Sequence, residues 1–318
     1  MRIGVMSGPE RGDSARKVSR MIADAEWAES AGMDTVWVPQ VPNDFDALTA
    51  VTMMGTRTST IEIGTAVVPL PAQHPIALAR QALSVHAAIG GRLSLGVGPS
   101  HHWIVTDMLG LPYEKPARYT RDYLEVLAAA QAATGSVDVE NTNFTVHNPF
   151  DLTPLAPMPV LVAALGPVML GIAGEQADGT VLWMADYRAI ADHIAPRITK
   201  AADNAGRPAP RVVAGVPVCL CKPSEADEAR ERANRILAEA EYSPNYQKLL
   251  EHGDARNVGD ICIAGDEEAI LEGFRRYRDA GATDLSMRLL PIGDTRDELV
   301  ASKYRTREVV AELAKELR

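Results

Sequence analysis

The 318-residue chain predicts an α/β fold, a (β/α)8 TIM barrel in which parallel strands alternate with helices. Three observations carry that expectation. Short β-branched runs alternate eight times with longer segments whose apolar residues recur at helical spacing. No glycine-rich dinucleotide fingerprint follows the first strand, as an open doubly wound sheet would be expected to show. No Ser/Gly-rich linker divides the chain, so residues 1–318 are read as a single domain.

Residues 2–6 form the first strand of this scheme, followed by a helix with Val18, Met21, Ile22, Ala25 and Ala28 on one stripe. Residues 34–38 precede a helix over 46–57. Residues 61–69 precede a helix over 75–88, whose Pro75 suits a first helical turn. The fourth strand, 93–97, leads through a long loop to a helix over 117–133, and the fifth, 160–164, leads directly to one over 168–176. Residues 180–184 precede 189–205. Residues 211–220 precede a helix with Ala226, Ala229, Ala233, Ile236 and Ala240 on one face. The eighth unit pairs 283–290 with 298–317, and an additional helix over 267–280 is inserted before that last strand. Residues 137–146 alternate apolar and polar around Asn141, Thr142 and Asn143, which predicts a small β-hairpin decorating the barrel.

Composition narrows the function classes. The formal net charge is -10 with no dense Lys/Arg block, so nucleic acid is not an expected partner. No run of about 18 apolar residues and no signal-peptide layout occurs, so no membrane association is expected and a cytoplasmic location is. Three cysteines suit a reducing compartment. Cys219 and Cys221 would share one strand face as core thiols, without the companion ligands a metal needs, and no metal is expected. A phosphorylated small molecule is compatible with the acidic balance, because helix N-terminal amides bind phosphate without Lys or Arg.

In such a barrel, chemistry sits where strand C-termini meet their following loops. After the fourth strand come Gly96, Val97, Gly98, Pro99, Ser100, His101, His102 and Trp103: glycines that admit a ligand, then a hydroxyl and imidazoles. The same glycines could equally serve strand packing. After the fifth strand, Leu165, Gly166 and Pro167 form a strand-to-helix turn whose free amides could hold a phosphate, or merely connect two elements. Trp183 and Met184 end the sixth strand, where they could wall a flat cofactor or fill the core, and Arg288 could meet an anionic substrate or a carboxylate of the chain.

An ordered set of motifs goes further: Ile63-Gly64-Thr65-Ala66-Val67-Val68-Pro69, His74-Pro75, Gly91-Arg92-Leu93-Ser94-Leu95-Gly96-Val97-Gly98 and Ala173-Gly174-Glu175-Gln176-Ala177-Asp178-Gly179. The chain resembles the bacterial-luciferase-like superfamily, and within it the actinobacterial branch related to methylenetetrahydromethanopterin reductase, whose members use the deazaflavin coenzyme F420. The resemblance implies a non-prolyl cis peptide between Ala66 and Val67, in a third-strand bulge at Thr65, Ala66 and Val67 that supports the middle ring of the cofactor. It also implies cofactor contacts from Gly98, Pro99, Ser100 and His101, and phosphate binding at Leu165 and Gly166. The Asp-His pair that many relatives carry after the second strand is missing, the stretch being Val38-Pro39-Gln40-Val41-Pro42. His101 is then the expected proton donor, with Gln40 as a hydrogen-bonding neighbour of the cofactor.

The expected activity is hydride transfer between coenzyme F420 and an unsaturated C=C or C=N bond of a small molecule, by a homodimer as in relatives. One alternative is an FMN-dependent monooxygenase on the same barrel, separated by cofactor spectra and oxygen consumption. A non-catalytic cofactor-binding protein is the other, separated by turnover.

Overall fold

Runs of consecutive buried residues, apolar on both faces, pair as parallel strands because such strands are covered by side chains inside and by helices outside. The computed structural model describes residues 1–8, 12–237 and 243–317. β1 (Arg2–Met6) is followed by α1 (Ser14–Ser30), β2 (Thr35–Val38) by α2 (Ala47–Gly55), and β3 (Glu62–Thr65) with its short continuation β4 (Val68–Pro69) by α3 (Pro75–Ala88). β5 (Leu93–Gly98) leads through a loop containing a π-helical turn, Ile104–Met108, to α4 (Pro116–Gln131). The hairpin β6 (Gly135–Glu140) and β7 (Thr145–Phe150) is antiparallel and stands outside the barrel, as its alternation predicts. β8 (Val160–Val162) precedes α5 (Pro167–Gln176); β9 (Gly179–Trp183) precedes α6 (Tyr187–Ala189), which runs through a π-helical turn into α7 (Ala195–Asn204). β10 (Arg211–Leu220), α8 (Ala226–Leu237), α9 (Pro244–Leu250), α10 (Val258–Ile261), β11 (Ile263–Gly265), α11 (Glu267–Asp279), β12 (Asp284–Leu289) and α12 (Arg296–Glu316) complete the chain.

The barrel closes. Parallel pairing runs from β1 through β2, β3, β5, β8, β9 and β10 to β12 and back to β1, with Arg211 opposite Gly179 and Arg2 opposite Asp284. Inside its N-terminal end the guanidinium of Arg211 meets Asp284 at 2.6 Å, Glu62 at 3.0 Å and the Ser94 hydroxyl at 3.2 Å, while Arg2 reaches Glu62 at 3.1 Å. These ion pairs plug that end with their charges compensated, the condition for keeping them buried. Above them Trp37, Leu161, Val181 and Val213 form an apolar floor, the indole N–H of Trp37 donating to Thr35 Oγ1 at 2.9 Å. Outside, the buried carboxylate of Asp24 on α1 pairs with Arg307 on α12 and accepts from the Ser7 hydroxyl, fastening the two ends of the chain together.

Two features differ from the sequence reading. The third strand, read as continuous over 61–69, is split into β3 and β4 by a bulge. The extra helix expected before the last strand is α11, which packs on β11, β10 and β12, while α8, after β10, packs on α10 and β11. The two helices differ in side-chain size. α11 drives Ile270, Phe274 and Tyr277 into the main core, while α8 offers Ala226, Ala229 and Ala233 to a small satellite core with Cys219 and Cys262. Ile236, expected on that apolar face, is exposed, and Ala240 lies outside the described residues. Second, β11, α9 and α10 have no counterpart in the sequence reading. Among the described residues no helix is long and apolar enough to cross a membrane, and no cluster of His, Cys, Asp and Glu is arranged to hold a metal.

Candidate active site

The C-terminal ends of β3, β5, β8 and β9 gather most of the predicted residues, and the third strand explains how. The peptide between Ala66 and Val67 is cis, and the regular ladder between β3 and β5 stops at Gly64 and resumes between Val68 and Val97. Across the gap the Thr65 hydroxyl donates to the Gly96 carbonyl at 2.7 Å and accepts the Gly96 N–H at 2.9 Å, supplying what the ladder lacks. Thr65 is fully buried, so its hydroxyl belongs to this staple, and the ligand-facing part of the predicted Thr65, Ala66 and Val67 trio falls to the half-buried Ala66 and Val67. Both pack on the apolar floor around Trp37.

Close approach dictates the glycines opposite. A Cβ on Gly96 would lie 2.0 Å from the Thr65 carbonyl oxygen, and one on Gly98 would lie 3.0 Å from Val67 and from Ala163. Gly96 therefore serves strand packing against the bulge, and Gly98 lines the groove between Val67 and Ala163. Beyond them the chain turns through Pro99 to Ser100, which holds a left-handed φ of 64° without being glycine, its carbonyl braced by the Tyr113 hydroxyl at 3.0 Å. Met184, directly after Trp183, has φ 62°. Two non-glycine residues in this costly region, both just past strand C-termini, mark the rim as shaped for a purpose other than stability.

His101 is half-buried. Its ring stacks with Trp103 at a centroid distance of 6.0 Å and 12° between planes, and meets Tyr246 of α9 at 5.7 Å and 48°. Neither imidazole nitrogen has a hydrogen-bond partner among the described residues, and burial holds its pKa below the ordinary value, so the neutral ring prevails at pH 7. Gln40 is placed differently. Its Oε1 accepts the Ala47 N–H at 3.3 Å, tying the β2 loop to the start of α2, and no contact among the described residues joins it to His101. Its amide NH2 is the part left for a ligand.

At the fifth strand the turn is open. Gly166 is the N-cap of α5 without a side-chain cap bond, and a Cβ there would meet nothing within 4 Å. Pro167 has no N–H, and the amides of Val168 and Met169 have no partner among the described residues, which leaves an uncapped helix N-terminus facing open space. The Leu165 carbonyl, by contrast, accepts from His193 Nε2 at 2.8 Å, so that side of the turn is held by the protein. Trp183 lies half-buried over Gly215, where a Cβ would touch the indole at 2.8 Å. Arg288 donates to the Gly8 carbonyl at 2.6 Å and so braces the loop after β1.

Other residues of the quoted motifs carry structure. Arg92 donates to the carbonyls of Gly55, Thr58 and Ile61, locking the connection into β3, and Asp178 accepts the Val160 N–H at 2.8 Å. Cys219 and Cys262 are buried, with thiols pushed upward by that burial, the latter to about 12. Tyr246 was not foreseen. It stands more than 140 residues from His101 on a short helix with no strand-end position to flag it.

The luciferase-like monooxygenase family model matches residues 1–284. A 5,10-methylenetetrahydromethanopterin reductase of Methanolobus tindarius is 25% identical over 281 residues, covering 87% of this chain and 83% of that protein. An F420-dependent hydroxymycolic acid dehydrogenase of Mycobacterium tuberculosis is 31% identical over 300 residues, covering 84% and 78%. Among solved structures, an F420-dependent secondary alcohol dehydrogenase in complex with an F420-acetone adduct superposes with a TM-score of 0.80 over 100% of this chain and 99% of that one, at 17% identity.

Proposed function

The chain belongs to the luciferase-like monooxygenase family, and from that premise we propose that it is a coenzyme F420-dependent oxidoreductase acting on an unsaturated C=C or C=N bond of a small molecule. One observation carries the reading: the same barrel face offers a flat apolar seat at Ala66 and Val67 and an uncapped helix N-terminus at Gly166. A planar ring with a phosphate-bearing tail needs those two features. The residues fit it, since the space beside Gly166 is one that a Cβ would begin to fill, and free amides there stabilise an anion without a cation.

When bound, coenzyme F420 supplies or accepts a hydride. The protein's part is placement. Ala66 and Val67 would seat the ring, Gly98, Pro99 and Trp183 would stand beside it, and the amides of Val168 and Met169 would hold the tail. His101 holds the proton that completes a reduction: its imidazole takes one from solvent and releases it to the substrate atom that does not receive the hydride. Gln40 orients the cofactor through its amide NH2. In this reading the enzyme works in the cytoplasm as a homodimer.

Turnover with the reduced coenzyme against a panel of enones and imines tests the proposal. Consumption of the coenzyme matched by reduced product supports it; binding without turnover of any acceptor favours a carrier, and oxygen uptake with FMN favours a monooxygenase.

A further inference from the structure

The mouth has an aromatic wall of which the cofactor reading uses only His101. His101 and Trp103 come from the loop after β5, and Tyr246 comes from α9, in the long connection between β10 and β12. The three rings meet in sequence, Trp103 stacked on His101 and His101 tilted against Tyr246, and all three are half-buried. Among the described residues neither the His101 imidazole nor the Tyr246 hydroxyl has a hydrogen-bond partner, although burial raises the tyrosine pKa to about 12 and so keeps its O–H protonated. Along the same loop Met108, Leu109 and Leu111 are 58%, 45% and 37% exposed.

From this arrangement we infer that Tyr246, with Trp103, is a specificity-determining residue that selects substrates carrying an aromatic ring next to a hydrogen-bonding oxygen. The inference deepens the reading above and rests on the barrel mouth being the substrate site. Indole and phenol faces prefer a third aromatic ring in offset or edge-on contact over a saturated ring of the same size. The unpartnered imidazole and phenol meet the substrate oxygen, so a ligand lacking it leaves them unsatisfied. α9 is held in place from its far end. Asp186, buried before α6, accepts the N–H groups of Asp254 and Ala255 at 2.6 and 2.9 Å, and His252 stacks on His193 at 3.8 Å. Tyr246 is therefore presented from a segment that has anchors besides its own ring.

The test uses the full-length protein and two probes of one size, 2-naphthol and decahydro-2-naphthol, with binding followed by calorimetry. The wild type should prefer the aromatic probe by about three- to tenfold, the range one ring contact supplies. Tyr246→Phe should keep that preference, whereas Tyr246→Leu and, independently, Trp103→Leu should bring the ratio to within about twofold of unity. A role confined to folding would move both probes together and leave the ratio alone. No preference in the wild type, or a preference intact in both leucine variants, overturns the inference. F420 affinity is measured on the same samples. Its absence in the wild type strikes the cofactor reading, while its presence with no aromatic preference strikes this inference alone.

Discussion

Replacing Thr65 by valine tests how the cofactor seat is held. Valine keeps the β-branched shape, so no cavity opens, but it removes the one group that pairs with both the N–H and the carbonyl of Gly96, at 2.9 and 2.7 Å. Both partners are buried, and the adjacent ladder cannot reach them across the bulge. Each buried group left unpaired costs about 1–3 kcal/mol, so with two of them the variant should lose roughly 2–6 kcal/mol. An unfolding entropy of about 2 cal/mol/K per residue over 318 residues makes each kcal/mol worth about 1.5 °C, which predicts a Tm lower by roughly 3–9 °C. Differential scanning calorimetry reads this directly. Thr65→Ser keeps the hydroxyl and should stay within about 2 °C of the wild type, the loss of one buried methyl being worth about 1 kcal/mol. If the valine variant melts with the wild type, the staple does not hold the bulge and the account of β3 and β5 is wrong.

Three further outcomes follow from the same geometry. Gly166→Asp places a carboxylate at the uncapped start of α5, which should stabilise the fold by about 0.3–1 kcal/mol while repelling an anionic tail, so Tm rises slightly as F420 affinity falls tenfold or more, on the order of a single charge-assisted contact; unchanged affinity removes the phosphate from that turn. His101→Gln should lower kcat by about 10²- to 10⁴-fold and flatten the acid side of the pH profile. Because burial lowers the His101 pKa below 6.5, the wild-type rate should rise as pH falls through that depressed value, while the unfolded chain takes up the proton first and stability declines below pH 6.5. A wild-type rate indifferent to pH between 7 and 5 contradicts the assignment. At Glu29 burial pushes the carboxyl up, but the N–H groups of Thr60, Ile61 and Ser59 with the Thr60 hydroxyl outweigh it and hold it at about 2. Its contribution is complete above pH 4.5 and lost as pH falls toward 2, so Glu29→Gln should be less stable at pH 7 and show a shallower acid decline in chemical denaturation.

The strands were legible because a parallel barrel strand buries both faces, and runs such as Leu93 to Gly98 and Arg211 to Leu220 contain little else. α8 and α11 were legible from their apolar stripes, but periodicity alone does not weigh Ala229 and Ala233 against Phe274 and Tyr277, so the depth at which each helix packs was not. The loop from Gly96 to Trp103 was readable from its residue types and its position after a strand. The staple was not, since Thr65 acts through a hydroxyl bonded to backbone on another strand, a contact with no period and no motif. The predicted cis peptide rested on resemblance, and the structure has it at Ala66–Val67. Gln40 and Tyr246 show the limit most clearly. A bond from the Ala47 N–H to the Gln40 side-chain oxygen and a ring contact between Tyr246 and His101 are settled by tertiary packing.

Equilibrium titration of the full-length protein with oxidised F420 and, separately, with FMN addresses the central claim, that the groove from the Ala66–Val67 bulge to the amides after Gly166 seats a deazaflavin. The account predicts a saturable change in the F420 spectrum at one site per chain, weakened in Gly166→Asp, with FMN bound much less tightly. Tight FMN binding together with no spectral response to F420 would contradict it.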